Sequence, residues 1–334
     1  MSELTHRSYG RSGLSITTLG FGSWAAAGPH GAFRWGEQDD QQTIGAIHRA
    51  VERGVSWIDT APAYGFGHSE SVVGQAWRAL PAADRPLVFT KCGRPRLPQD
   101  PSRLETNLRP DSIRSEVEES SRRLGTEVID MVQIHWPPAD GNRLAIEEGW
   151  GTLGRLQDEG KVRFIGVCNF DVEQLKIAEG VRHVESLQTR LSLIHPEAAT
   201  ILIPWCAANG TGVIVYSPMG SGLLTERMSA DRLAVMRDDW RLNSPDFQSP
   251  SLDRNLALRD ALIPIARREG VQTSAVAVAW ALAQPGVSGA IVGARSPEQV
   301  DGWLPAARLA LTEADLAEID RARTAARGRS PGSR

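Results

Sequence analysis

The sequence predicts an α/β fold, with eight parallel strands and their helices closed into a (β/α)8 TIM barrel. Short apolar or β-branched runs alternate with longer segments of helical period along nearly the whole chain. Eight such runs occur, and strands separated by amphipathic helices form parallel sheets with right-handed crossovers. A third observation removes the main rival, a doubly wound dinucleotide-binding sheet. That fold carries GxGxxG after its first strand, whereas here the first strand ends GFGSWA, with Ala25 where the third glycine belongs.

The elements follow in order. SYGRSGLSI reads as an N-terminal hairpin over the barrel bottom, with Gly10 and Gly13 in its turn. Strands are expected at 17–22, 55–59, 87–91, 128–135, 162–168, 185–189, 212–217 and 288–293. After the first strand, DDQQTIGAIHRAVERG gives a helix capped by Asp39, with Ile44, Ile47 and Val51 on one face and Gly54 past its end. After the third, PDSIRSEVEESSRRLG turns Ile113, Val117 and Leu124 inward and stops at Gly125. The 334 residues exceed the roughly 250 that such a barrel takes. The surplus falls in the hairpin, in a long loop from about Ser217 to Pro250 within the seventh unit, and in extra C-terminal helices that include TEADLAEIDRAR. A flexible tail is expected at 327–334, and residues 1–334 read as one domain.

Composition narrows the function classes. With 41% apolar and 23% charged residues and a net charge of −3, no face or tail calls for nucleic acid or an anionic membrane. The run AVAVAWALA is too short to span a bilayer, and MSELTHRSYG lacks the apolar core of a secretory signal. Cys92, Cys168 and Cys206 are scattered and odd in number, which fits free thiols in a reducing cytoplasm. With neither CxxC nor HExxH in the chain, no metal site is expected.

Side chains at the C-terminal ends of barrel strands converge on one mouth. Asp59 closes the second strand, Lys91 the third and His135 the fourth, and Tyr64 follows in WIDTAPAYG. Taken singly, the aspartate could cap a turn, the lysine could reach solvent, and the histidine could be a core residue. Three successive strands delivering ionisable groups to one rim make a poor core unless the groups pair. A tyrosine releases its proton only near about pH 10, so it is too weak an acid at neutral pH. The ammonium of Lys91 would lower that value, and Asp59 would make the buried lysine tolerable. His135 would hydrogen-bond a substrate oxygen. The expected product is a proton donor beside a carbonyl-sized gap.

At these residues the chain resembles the bacterial aldo-keto reductases, over nearly its whole length. IDTAPAYG is similar to the family's signature after strand two, VFTKCG to its lysine segment and DMVQIHWP to its histidine strand; GVCNF resembles its G-V-S-N-F, and VYSPMGSGLL its Y-S-P-L-x-x-G-x-L loop. The resemblance implies reduction of aldehydes or ketones to alcohols, by direct hydride transfer from a nicotinamide held across the barrel mouth. Tyr64 would be the general acid, Lys91 and Asp59 its tuners, and His135 the orienting group.

Cofactor contacts carry over position by position. Asn169 and Gln188 match the residues that bond the nicotinamide carboxamide, and Tyr216 matches the aromatic stacked on its ring. Ser217, Met219, Gly220, Ser221 and Leu223 would lie along the pyrophosphate, where glycine permits close approach. Gly22, Ser23 and Trp24, beside Asp59, stand where the first strand meets cofactor and substrate. Cys168 replaces the family's usual serine with a weaker hydrogen-bonding group. In VGARSPEQV, Ser296, Pro297 and Gln299 read as N-cap, N1 and N3 of a helix. That helix start could equally receive a phosphate. The resemblance places the 2′-phosphate of NADP there, on Arg295, which favours NADPH over NADH; Gly293 is a further cofactor contact and Gln299 a candidate against the adenine. Gly302 and Trp303 depart from the Glu-Asn that many members set against the adenine.

For a small-molecule carbonyl substrate, Trp24, Trp35 and Trp136 would join Tyr64 and His135 around the pocket, while Trp57 and Trp280 read as core. RDDWRLNSPDFQ could add a wall or lid. Two rival readings stand beside this one. One is an NADP(H)-binding redox-sensing module with little turnover, which would show a large apolar outer patch. The other is a cofactor-free aldolase with a Schiff base on Lys91.

Overall fold

Gly10 and Gly13 adopt φ of +56° and +78°, which lets the chain reverse between β1 (His6–Ser8) and β2 (Ser15–Thr17). In this computed structural model, which describes residues 4–31, 34–97 and 99–328, the hairpin closes the barrel bottom as expected. A Cβ on Gly10 would collide with the backbone of Gly212, and the Tyr9 hydroxyl bonds Ser186 Oγ at the start of a barrel strand.

The barrel strands are β3 (Leu19–Gly22), β4 (Trp57–Asp59) and β5 (Leu87–Cys92), then, after a small hairpin of β6 (Arg96–Leu97) and β7 (Asp100–Leu104), β8 (Ile129–Ile134), β9 (Val162–Cys168), β10 (Ser186–Arg190), β11 (Gly212–Tyr216) and β12 (Val287–Gly293). All pair in parallel, and β12 closes the ring on β3. Each expected strand is present. The first is shorter than expected, because residues 15–17 pair within the hairpin and only 19–22 join the barrel.

Alternation along the strands sorts the apolar residues into two cores. Inside the barrel, Trp57, Phe89, Met131, Ile214 and Ile291 pack with Tyr9 and Ile16. A larger cluster lies between the strands and the surrounding helices. Those helices are α1 (Asp40–Glu52), α2 (His68–Ala79), α3 (Pro110–Leu124), α4 (Arg143–Asp158), α5 (Val172–Glu179) and α6 (Leu202–Asn209). In α1, Asp39 caps as expected, accepting the Gln41 N–H at 2.8 Å. Its buried face is Thr43, Ala46, Ile47 and Ala50, while Ile44 and Val51 are only half-buried. The stripe is rotated because α1 also meets its neighbour through Gly45, where a Cβ would lie 3.1 Å from Pro297. In α3, Ile113, Val117 and Leu124 are buried and Gly125 ends the helix at φ +73°.

The loop expected from 217 to 250 folds on itself around α7 (Ala230–Val235) and several 3-10 turns, held by Leu223, Met228, Phe247 and Leu252. Then come α8 (Ser251–Ala261), α9 (Ile263–Glu269) and α10 (Thr273–Leu282) before β12, and α11 (Pro297–Trp303) and α12 (Glu313–Gly328) after it. Of the tail expected at 327–334, residues 327 and 328 continue α12, and 329–334 lie outside the described residues. Among the described residues no helix is long and apolar enough to cross a membrane.

Candidate active site

On β5 the pleat points Lys91 into the barrel mouth. Its buried ammonium meets Asp59 Oδ2 at 2.7 Å, the Thr60 carbonyl at 2.9 Å and the Tyr64 hydroxyl at 3.3 Å. Three donors thus find three acceptors. The second oxygen of Asp59 accepts the Gln188 amide at 2.7 Å, so both carboxylate oxygens are satisfied. Tyr64 reaches this place on a left-handed turn, with φ of +62° at Gly65, +56° at Phe66 and +93° at Gly67. A Cβ on Gly65 would come within 2.8 Å of the Ala27 carbonyl, so the close approach requires glycine there.

The electrostatics correct one expectation. Burial pushes the Tyr64 phenol above its ordinary value, and Lys91 offsets only part of that shift. Lys91 brings its charge already engaged by Asp59, so the ligand-free phenol stays firmly protonated instead of becoming more acidic. Burial alone would lower Lys91, but Asp59 and Tyr64 outweigh it and hold the amine protonated. A Schiff-base lysine needs a free neutral amine, and this one is charged and fully bonded.

His135 follows β8. Burial first, then Lys91 and Arg94, lowers its pKa well below the ordinary value, so the ring is neutral. Its Nδ1 is buried without a partner. A bare lone pair is the cheaper group to leave there, which assigns the proton to Nε2. Its ring stands edge-on to Tyr64, centroids 5.8 Å apart.

A second polar cluster faces this one. Asn169, at φ +64°, donates from Nδ2 to the His135 carbonyl and to Cys168 Sγ, both at 3.1 Å, and its Oδ1 accepts the Tyr216 hydroxyl at 2.9 Å. Burial pushes the Cys168 thiol up to about 12, so it remains a weak, neutral partner.

These groups share a cavity of about 450 Å³ across the barrel mouth, within the range of ligand sites. The structure brings to its wall Gly22, Trp24, Trp35, Asp59, Tyr64, His135, Trp136, Asn169, Gln188, Tyr216, Ser217, Met219, Ser221, Gly293, Arg295 and Gln299. Lys91 lies just behind. Three expected contact residues do not line it. Ser23 is buried and bonds the Asp59 carbonyl and Ser69, Leu223 belongs to the core under the long loop, and Gly220 faces Ile194.

Trp24 stacks on Tyr64 with centroids 6.0 Å apart and on Trp240 at 5.2 Å, with Trp35 edge-on at 5.2 Å. Trp240 of the long loop thus backs Trp24 from outside the cavity, and the loop reaches the wall itself through Arg241, both from a segment the sequence marked only as a whole. Arg295 differs from expectation. Its guanidinium donates to Gln38 Oε1 at 2.6 Å, to the Trp35 carbonyl at 3.2 Å and to the Glu37 carbonyl. That leaves two of its five N–H groups for a ligand. The Ser296 side chain makes no cap bond, and Gln299 Oε1 accepts the Arg295 N–H at 2.9 Å.

Sequence reasoning missed Arg94, Arg227, Arg232 and Gln272, all of which line the cavity. Arg94 had a usable signal, since it stands three places beyond Lys91 at a strand end. Gln272 had one only in hindsight. A Cβ on Gly302 would come within 2.7 Å of Gln272 Oε1, so the Gly-Trp departure makes room for that amide.

The sequence profile of the aldo/keto reductase family matches residues 18–324. The NADH-specific methylglyoxal reductase of Escherichia coli (strain K12) is 33% identical over 313 residues, covering 92% of this chain and 94% of that protein. The structure of the glycerol dehydrogenase AKR11B4 from Gluconobacter oxydans superimposes with a TM-score of 0.86 at 34% identity, covering 99% of this chain and 98% of the other. An aldo/keto reductase from Klebsiella pneumoniae in complex with NADP and acetate superimposes at 0.71, with 26% identity and coverage of 96% and 95%. This chain belongs to the aldo/keto reductase family, an oxidoreductase family.

Proposed function

We propose that this chain reduces aldehydes or ketones to alcohols with NADPH, Tyr64 acting as general acid. The observation that carries the reading is the three-way bond of Lys91, which sets the Tyr64 hydroxyl 3.3 Å from a buried, protonated amine at the cavity wall. The carbonyl oxygen takes the Tyr64 proton and the Nε2–H bond of His135. As the phenol gives up its proton it becomes an anion facing an ammonium, so Lys91 stabilises the charged product of transfer more than the starting phenol. A reduced nicotinamide bound alongside supplies the hydride that reaches the carbonyl carbon.

The wall of this chain suits that group. Tyr216 offers a ring face, and Asn169 and Gln188 offer amides for its carboxamide. Gly22, Trp24, Ser217, Met219, Ser221, Gly293 and Gln299 line the path between. Arg227, Arg232 and Arg295 line the same cavity and outnumber Glu226 and Glu298, while Arg241 is paired with Asp239 at 2.6 Å, a balance that favours the extra phosphate of NADPH. The cation set, more than Arg295 alone, supports the preference, because Arg295 is largely engaged. The E. coli relative is NADH-specific by name and the Klebsiella protein was crystallised with NADP, so support for NADPH comes from this chain's own arginines.

Single-turnover oxidation of bound NADPH by 4-nitrobenzaldehyde tests the acid. Tyr64→Phe should slow it by about 10²- to 10⁴-fold, and an unchanged rate overturns the assignment. Tight NADPH binding with no turnover over a broad carbonyl panel would put the redox-sensing reading in its place. Equal affinity for NADPH and NADH would remove the cofactor preference.

A further inference from the structure

We propose that Arg94 makes the substrate end of the cavity a carboxylate site, so that the favoured carbonyl compounds carry a carboxylate beyond the reacting group. This rests on the carbonyl-reductase reading and names its substrate class.

Placement comes first. Arg94 follows β5 and lines the cavity with Tyr64, His135, Trp136 and Leu104. β5 stands three strands round the ring from β12, which leads into Arg295. The molecule therefore presents two separate cationic ends, one on the arginine-rich wall and one beside Tyr64 and His135.

Arg94 is also unspent. Among the described residues its guanidinium has one hydrogen-bond partner, Thr106 Oγ1 at 3.5 Å, and no carboxylate pairs with it. Half-buried, it feels burial strongly enough to lower its pKa, and its charge reaches His135. A half-buried cation with no counter-ion is costly, and an incoming carboxylate matched to its fork relieves that cost. Among the cavity acids, Asp59 is saturated by Lys91 and Gln188, and Glu226 and Glu298 come from the loop and α11 across the mouth.

The backbone that launches Arg94 is fixed. Glu116, buried under the loop, accepts the Arg94 N–H at 3.1 Å, and the Asn107 N–H donates to the Gly93 carbonyl at 3.2 Å. Gly93 has φ +79°, and a Cβ there would come within 2.7 Å of Leu108. Glu116 thus braces the peptide and leaves the guanidinium to a ligand. With Tyr64 and His135 on the carbonyl oxygen, Arg94 holds the far carboxylate, and Trp24 and Trp136 flank the spacer between them.

The test compares 4-carboxybenzaldehyde with 4-nitrobenzaldehyde, nearly equal in shape, the first an anion and the second neutral. Wild type should show the higher kcat/KM for the carboxylate. In Arg94→Gln the ratio of the two should fall by about 10- to 100-fold, and Arg94→Lys should recover part of it. A ratio unchanged within about twofold in Arg94→Gln, the spread set aside as noise for a contact of this strength, overturns the proposal. Calorimetric binding of 4-carboxybenzaldehyde to the NADP-loaded protein separates the two failures. Binding lost in Arg94→Gln without turnover in wild type keeps the carboxylate site and removes the reductase reading. Equal binding by wild type and variant sinks the site whatever the turnover.

Discussion

Asp59 and Glu70 are both sealed from solvent, each against a cation, yet only the Asp59 pair touches the cavity. Asp59 meets Lys91 at 2.7 Å inside the barrel. Glu70, on α2, meets Arg123 of α3 at 2.6 Å and the Thr90 hydroxyl of β5 at 2.6 Å, outside it. Thr90 and Lys91 are neighbours on one strand, so the pleat alone sends one toward packing and the other toward the barrel mouth. The ammonium has a third donor direction left for Tyr64, whereas the Arg123 fork is spent tying two helices to a strand. Glu116 makes a third case. It is buried with no salt-bridge partner among the described residues, and burial pushes its carboxyl up to about 7 despite N–H bonds from Arg94 and Gly93 and a hydroxyl from Ser112. A buried carboxylate thus ties helices, faces a ligand cavity or braces a loop according to what stands on its far side.

Substitutions can break this contrast. The largest effect should come at Lys91. Lys91→Met is expected to cut kcat by about 10³-fold in steady-state assays, because the phenolate loses its ammonium. If activity survives, the inner pair is no more catalytic than the outer one. Next, Arg123→Ala should cost about 3 to 5 kcal/mol, since it strands the Glu70 charge, while kcat per folded molecule stays within about twofold of wild type. Urea unfolding and active-site-normalised rates read the two together, and a collapse of kcat would end the distinction.

Glu116 sharpens it through pH. Its folded pKa lies above the ordinary 4.5, at about 7, so its stabilising share is complete below 4.5 and is lost as pH rises through 7. Glu116→Gln should therefore gain on wild type by up to about 3 kcal/mol between pH 5 and 8, followed by denaturant midpoints. A difference independent of pH would show that the carboxyl is ionised throughout. The smallest change is expected at Cys168→Ser. A hydroxyl beside Asn169 and Gln188 should alter NADPH affinity, read by tryptophan quenching, by about threefold or less. A tenfold change would give the thiol a share in holding the cofactor beyond that of a weak neighbour.

Much of this was legible along the chain. Strand alternation and helix stops located all eight barrel strands, and strand ends located Asp59, Lys91 and His135. Glu70 and Arg123 were invisible because they read as ordinary charges on amphipathic helices, and only the docking of α2 on α3 seals the one and half-buries the other. Arg94 was passed over because a strand-end arginine reads as solvated until its partners can be counted. The expected acid shift of Tyr64 had the wrong sign, because proximity to a cation could be inferred from spacing but depth of burial could not. Arg295 does line the cavity, yet its fork turned to the backbone of Trp35 and Glu37, a segment distant in sequence.

The sequence by itself determined the closed ring of strands, the rim on which the ionisable groups gather and the residue types that gather there. Period, turn and cap are local properties, carried by neighbours within a few positions. Tertiary structure decided which charges are dry, which donors are already used and which remain free for a ligand. Those depend on desolvation and on partners drawn from remote segments, and no local pattern encodes them.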